Sequence, residues 1–247
     1  MKTIGLIPAR MGSSRLQGKP LKKIKGKEML LRVYENALNA KLIDTLYIAT
    51  CDEEIRRTMD AYGCKVVMTG SHHTRCTSRC AEALIKIEKT CNYTFDNIVM
   101  IQGDEPLVKG AEIDEAVKLI IDNKDIRIAN LIGKIESYEE FTDRNTIKVV
   151  LTKNDEILYF SRGNIPFSEK DNFKYAFKQV CIIPMKRDIL EIFTKFEETT
   201  LEKIESIDML RLIENKIPIK AKLIKYKTQA VDVPSDIKKV EKILTNE

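Results

Sequence analysis

Hydrophobic and polar positions follow two rhythms along the first hundred residues. The short runs Thr3–Ile7, Thr45–Thr50, Lys65–Met68 and Asn97–Ile101 are rich in β-branched residues, which predicts strands buried within a sheet. Between them, Leu30, Val33, Tyr34, Ala37 and Leu38 recur at helical spacing within Met29–Ala40. Asp52 opens a second helix running to Tyr62, which Gly63 can end, and Ala83, Leu84 and Ile87 mark a third over Arg79–Lys89. This β-α-β-α-β order predicts an α/β fold, a mostly parallel mixed sheet with helices on both faces. Ligands of such sheets sit beyond the carboxyl ends of the strands.

The rhythm changes in the second half. Thr146–Leu151 and Ile157–Phe160 flank Lys153, Asn154 and Asp155, a hairpin signal that predicts an antiparallel insertion. Helices are expected over Arg187–Phe196 and Thr200–Asn215, then a strand at Ile219–Tyr226 and a last helix from Ser235. No internal repeat or linker divides the chain, and one core serves up to roughly 250–300 residues, so a single domain over 1–247 is expected.

Composition narrows the function. The 247 residues are 43% hydrophobic and 32% charged, which excludes a disordered or low-complexity chain. Lys and Arg number 42 against 37 Asp and Glu, mixed along the chain without a basic stripe, so no nucleic-acid partner is expected. The densest basic run, Lys22–Lys27, reads as a solvated turn. No stretch approaches the ~18–20 apolar residues of a membrane span, and the N-terminus runs into a strand without a cleavage pattern. With six cysteines read as reduced thiols, a cytoplasmic protein is expected. His72, His73, Cys76 and Cys80 have spacings that could suit zinc, but no second ligand cluster follows, and zinc is set aside in favour of residues at a loop-to-helix junction.

The chemistry concentrates after the first strand, in the loop from Pro8 to Pro20, which holds Gly12, Gly18, Ser13, Ser14, Arg10, Arg15 and Lys19. Backbone N–H groups, hydroxyls and three cations can converge there on a polyphosphate. Pro20 after the lysine excludes a Walker loop; taken alone, such a loop is as readily a solvated turn. The fourth strand ends in Gln102-Gly103-Asp104-Glu105-Pro106, and a further acid stands in Val231-Asp232-Val233-Pro234. Hard carboxylate oxygens at strand ends would hold Mg²⁺ against a triphosphate. A helix N-cap or turn role for either Asp104 or Asp232 fits the local sequence equally well.

Taken together, the Pro8–Leu21 loop, Gln102–Pro106, Val149–Leu151 with Tyr159-Phe160-Ser161-Arg162 and Ile165-Pro166, and Val231–Pro234 resemble the 3-deoxy-manno-octulosonate (Kdo) cytidylyltransferase family, in order over almost the whole chain. The resemblance implies a GT-A-like nucleotidyltransferase that couples CTP to a sugar acid or another small anionic acceptor and releases pyrophosphate. It implies nucleotide contacts from Pro8, Ala9, Arg10, Gly12, Ser13, Arg15, Lys19 and Gln102, with Arg10, Lys19 and Asp104 catalytic and Asp104 and Asp232 on Mg²⁺. Acceptor contacts are implied for Thr77, Arg79, Arg162, Gln179 and Asp208. Residues 1–110 would form the nucleotide-binding half, and 111–247 the acceptor-binding half through which a homodimer is built.

Departures from the family pattern fall on the acceptor side. Its Gly-Thr-Glu-Arg reads Cys76-Thr77-Ser78-Arg79, its His-Leu-Gly-Ile-Tyr-Gly-Tyr strand reads Gln179 to Met185 with Ile183 in place of tyrosine, and its Glu-Gln pair reads Asp208-Met209. Polar groups that pair with sugar hydroxyls are costly to leave unpaired, so the acceptor is expected to lack or relocate those hydroxyls. Two rivals are weaker. A nucleotide-sugar-dependent glycosyltransferase would carry Asp-x-Asp where Gln102-Gly103-Asp104 stands, and a catalytically silent nucleotide-binding homologue has no need of both Asp104 and Asp232.

Overall fold

Strand β1 (Thr3–Ala9) is buried at all seven positions because both its faces are covered. In the computed structural model, which describes residues 1–13, 15–168, 173 and 175–245, Ile4 and Leu6 pack into one apolar cluster and Ile7 into another. A short ribbon of β2 (Lys23–Ile24) and β3 (Lys27–Glu28) follows, turning through Lys25 and Gly26 at φ 45° and 78°. The basic run is thus a solvated turn, with Ile24 drawn inside. Then come α1 (Met29–Leu38), β4 (Thr45–Thr50), α2 (Glu53–Ala61), β5 (Val66–Met68), α3 (Cys76–Cys91) and β6 (Asn97–Ile101).

The second half comprises α4 (Gly110–Asp122), β7 (Ala129–Lys134), α5 (Tyr138–Thr142), β8 (Lys148–Leu151), β9 (Ile157–Ser161), β10 (Phe177–Val180) and β11 (Ile182–Lys186). It closes with α6 (Arg187–Lys195), α7 (Thr200–Glu205), α8 (Leu210–Glu214), β12 (Lys220–Leu223) and α9 (Pro234–Ile243).

The first sheet has the order β11-β6-β1-β4-β5. Its pairs are parallel except β11 with β6. Side chains alternate across it: Ile4, Leu6, Ile98 and Met100 meet α3 and α6, whereas Ile7, Ile48, Val99 and Ile101 meet α1, α2 and α4. The second sheet, β12-β7-β10-β8-β9, is antiparallel except for β12 with β7. The expected hairpin is its β8–β9 pair, turning at Asp155 with φ 55°. Cys181 alone separates β10 from β11, so the chain steps from one sheet to the other there; its carbonyl accepts the Gln102 N–H at 3.0 Å.

Beyond the added β2–β3 ribbon and helix α5, three stretches differ from the sequence reading. Helix α4 and strand β7 are absent from it; Gly110 opens α4 because a Cβ there would stand 2.4 Å from the Asn39 carbonyl carbon, against the end of α1. Helix α3 begins at Cys76, ahead of the apolar periodicity. The helix expected over Thr200–Asn215 is two helices, broken at Ser206 with φ 55°. Across that break the buried Arg211 and Glu202 pair through two 2.7 Å hydrogen bonds, folding α8 back on α7.

Candidate active site

The parallel strands β1, β4 and β6 bring Ala9, Thr50 and Ile101 to one edge of the sheet. Pro8 and Ala9 are still β1, opposite Ala49 and Thr50. The loop that follows is pinned at once: the Met11 N–H donates to Asp52 Oδ2 at 2.8 Å, and the Ser13 N–H to the Met11 carbonyl at 2.8 Å. Gly18 takes the left-handed conformation at φ 65°, which turns the chain into a 3₁₀ turn at Lys19–Leu21 with Pro20 buried beneath it. Arg10 and Arg15 line a cleft of about 330 Å³ beyond the strand ends, and Gly12 is exposed beside them. Ser14 lies outside the described residues.

Lys19 is the centre of the arrangement. Its Nζ donates to Asp104 Oδ2 at 2.6 Å and to Asp232 Oδ1 at 3.1 Å, and Arg15 meets the same Asp232 oxygen at 2.9 Å. Burial by itself would favour a neutral amine, but the two carboxylates outweigh it and hold the ammonium above its ordinary range. Asp104 and Asp232, 128 residues apart, are tied by a 3.0 Å bond from the Val231 N–H to the Asp104 carbonyl. Asp236, the third residue of α9, reaches back to accept the Asp232 and Val233 N–H groups at 3.0 Å each, as the N3 residue of a capping box does. The N-cap position is Val233, and the Asp104 and Asp232 side chains are turned to Lys19. Two hard carboxylates bridged by one cation are a donor set that fits Mg²⁺.

Glu105 plays a different part. It is 2% exposed, accepts the Cys181 N–H at 3.2 Å and the Thr228 hydroxyl at 3.1 Å, and burial, aided by Asp104, pushes its carboxyl up to about 7. It stitches the two sheets together beneath Asp104 and Asp232.

The acceptor-side residues divide. Arg162, Gln179 and Asp208 line the cleft, as does Gln102, expected on the nucleotide. Gln102 accepts from the Cys76 thiol, and Gln179 donates to Asn130 at 2.7 Å. Arg162 is fixed by Nε to the Glu205 carbonyl at 2.8 Å and Nη1 to the Arg144 carbonyl at 3.1 Å; burial and the nearby Arg15 lower its pKa. Asp208 sits in the break between α7 and α8, its carboxyl raised by burial, and accepts the Thr77 hydroxyl at 2.8 Å. Thr77 is fully buried and holds Asp208 from behind. Arg79 requires a correction: it is 3% exposed, lies off the cleft lining, and spends its guanidinium on Thr69, Gly70 and His73. Of the residues that depart from the family pattern, Ile183, Met185 and Met209 all belong to the buried core, and the first and last of these border the cleft.

Several cleft residues carried no sequence signal. Arg75 reaches Ser206 Oγ at 2.9 Å and Glu198 at 3.2 Å, and Asn145 accepts from Arg15 at 2.5 Å. Lys178 is held by Glu140 and by the Thr228 carbonyl at 3.0 Å. These come from loops or strand interiors whose position only the fold fixes. Cys76 and Cys181 also line the cleft, but burial pushes the Cys76 thiol up to about 11 and that of Cys181 well above its ordinary value, so neither is a nucleophile at neutral pH. Cys80 is in the core, so the thiols do not join the two histidines around zinc.

A family model described as "Cytidylyltransferase" matches residues 4–224. A 3-deoxy-manno-octulosonate cytidylyltransferase of Thermodesulfovibrio yellowstonii is 40% identical over 99% of this chain and 98% of its own. One from Fusobacterium nucleatum is 39% identical over 97% and 96%. Among solved structures, a CMP:2-keto-3-deoxy-manno-octonic acid synthetase complexed with CTP superposes with a TM-score of 0.88 at 33% identity, covering 100% of this chain and 99% of that one. A 4-diphosphocytidyl-2C-methyl-D-erythritol synthase from Anaerococcus prevotii shares the fold, with a TM-score of 0.64 at 10% identity, covering 99% of this chain and 96% of that one.

Proposed function

The chain belongs to the 3-deoxy-manno-octulosonate cytidylyltransferase family, and we propose that its cleft joins the CMP portion of CTP to a Kdo-like sugar acid and releases pyrophosphate. The observation that carries this reading is the convergence of Arg15, Lys19, Asp104 and Asp232 at the carboxyl edge of the parallel sheet. Arg10, Arg15 and Lys19 bind the triphosphate, while Asp104 and Asp232 are the residues that would hold Mg²⁺. Mg²⁺ there supplies charge neutralisation and a more acidic acceptor hydroxyl. The chain's own contribution is positioning: the acceptor hydroxyl is set in line with the α-phosphorus and the departing pyrophosphate, and fixed cations meet charge that grows on the leaving oxygens.

Arg162 and Lys178 supply positive charge on the acceptor side, which suits a carboxylate. Ile183 and Met209 on the same wall offer no partner to a hydroxyl, so the preferred acid lacks or relocates hydroxyls at that edge. A homodimer built through the second half is supported by the exposed apolar side chains Leu158, Phe167 and Ile204. Among the described residues no helix is long and apolar enough to cross a membrane.

The reading is tested by thermal unfolding with each nucleoside triphosphate and Mg²⁺. A ligand that binds only the folded chain raises Tm by mass action, so CTP should raise it more than ATP, GTP or UTP. Equal shifts with all four, or none, would contradict the proposal.

A further inference from the structure

Arg79 and Glu82 stand one turn apart on α3 and grip the same loop from two sides. Arg79 Nη1 donates to Thr69 Oγ1 at 2.6 Å and to the Gly70 carbonyl at 3.3 Å, and Nη2 donates to the His73 carbonyl at 3.3 Å. Glu82 Oε2 accepts the Gly70 N–H at 2.9 Å and meets His73 Nε2. Ser78 completes the grip, donating to the Arg75 carbonyl at 3.0 Å while its oxygen lies 3.2 Å from His73 Nδ1. Burying a guanidinium is costly unless its donors are satisfied, and here they are spent on oxygens of one short segment. Close contact adds to the fit: a Cβ on Gly70 would stand 2.4 Å from the His72 ring.

The segment so held runs directly into the cleft. Thr74, Arg75 and Cys76 line it, and Arg75 spans to Ser206 at the break between α7 and α8, beside Asp208. The donors of His72, His73 and Glu82 lie within 4.8 Å of one another, but Glu82 is already engaged by Gly70, His73 and, through Oε1 at 2.7 Å, Lys86. The group is thus satisfied as a clasp without an ion.

We propose that Arg79, Glu82 and His73 are positioning residues that clasp the 69–75 loop and thereby set the acceptor side of the cleft, touching neither substrate. The proposal rests on the cytidylyltransferase reading for its kinetic consequence, not for the clasp itself. Arg79→Lys keeps the charge but loses the fork that spans Thr69, Gly70 and His73. Glu82→Ala removes the acceptor of the Gly70 amide. Each should raise the KM for the acceptor by about fivefold or more, with the KM for CTP changed less than twofold. Lys89→Ala, at an exposed position about two turns beyond Glu82 on α3, should change neither. Hydrogen exchange supplies a readout independent of any acceptor: the Gly70 amide should exchange ~10-fold faster in Glu82→Ala, as expected for loss of a charge-assisted bond.

An unchanged Gly70 exchange rate in Glu82→Ala would overturn the clasp even if the wild-type protein turned over no acid at all. Faster exchange with an unchanged acceptor KM, or with both KM values rising together, would overturn its role in setting the acceptor site.

Discussion

Replacing Asp104 by asparagine separates the catalytic from the structural meaning of the Lys19 cluster. Lys19 and Arg15 face Asp104 and Asp232, so the four side chains are neutral together. The neutral amide would leave one positive charge in excess, with Lys19 still 3.1 Å from Asp232. A hydrogen bond to a charged group is worth about 1.5–3 kcal/mol. The Asp104 side chain is 26% exposed, and Lys19 keeps its second partner, so screening reduces the loss of stability to ~1 kcal/mol. In a chain of this length that is a fall in Tm of roughly 2–4 °C. Turnover should suffer far more, because a charge placed to act on the transition state typically contributes about 10²–10³-fold. Pyrophosphate release at saturating CTP, Mg²⁺ and sugar acid, measured beside thermal unfolding, separates the two effects. Turnover by the Asp104→Asn variant within about fivefold of wild type, with unchanged Mg²⁺ dependence, would refute the reasoning. So would a fall in Tm above about 10 °C, which would make Asp104 a structural residue by the same scale.

The remaining expectations concern the buried acid and the acceptor wall. Glu105 is held at about 7, so the folded chain keeps a proton that the unfolded chain releases near 4.5, and stability should fall as pH rises through that window, by up to about 3 kcal/mol. Glu105→Gln should flatten this fall in urea titrations at about pH 5 and 8; an unchanged fall would place its origin elsewhere. Arg162→Ala should raise the KM for the acceptor ~10-fold and that for CTP less than about threefold, in steady-state kinetics with both substrates varied. Kdo itself should be turned over ~10²-fold less efficiently than the preferred acid, because each polar group left unpaired against Ile183 or Met209 costs about 1–3 kcal/mol. Equal kcat/KM for Kdo and every other acid would contradict that reading of the wall.

How much of this was legible in the sequence depended on whether the signal was local. The strands of the first sheet are short runs of branched residues, and Gly18, Lys19 and Asp104 lie in the loops that leave β1 and β6, so their place at one sheet edge followed from the βαβ order. Asp232 met them through motif position, and the fold supplied the physical reason in the bond from Val231 to Asp104. Strand β7, Ala129–Lys134, escaped because Asn130 and Gly133 interrupt its apolar run; Asn130 is fully buried and bonds the Leu131 and Val180 carbonyls. Arg79 was misplaced because motif position does not say which way a helical side chain points, and α3 turns it away from the cleft. Arg75, four residues earlier, is the α3-side arginine that lines it. The break at Ser206 was invisible because the buried pairing of Glu202 with Arg211, not a helix-breaking residue, folds α8 back.

The most direct test of the central claim is to incubate the protein with CTP, Mg²⁺ and a panel of small sugar acids that includes Kdo, and to detect products by mass spectrometry alongside pyrophosphate. The account predicts a CMP-conjugate of at least one acid, formed in equal amount with pyrophosphate and lost in Asp104→Asn. CTP left intact with every acid, or glycosyl transfer from a nucleotide sugar by the same preparation, would contradict it.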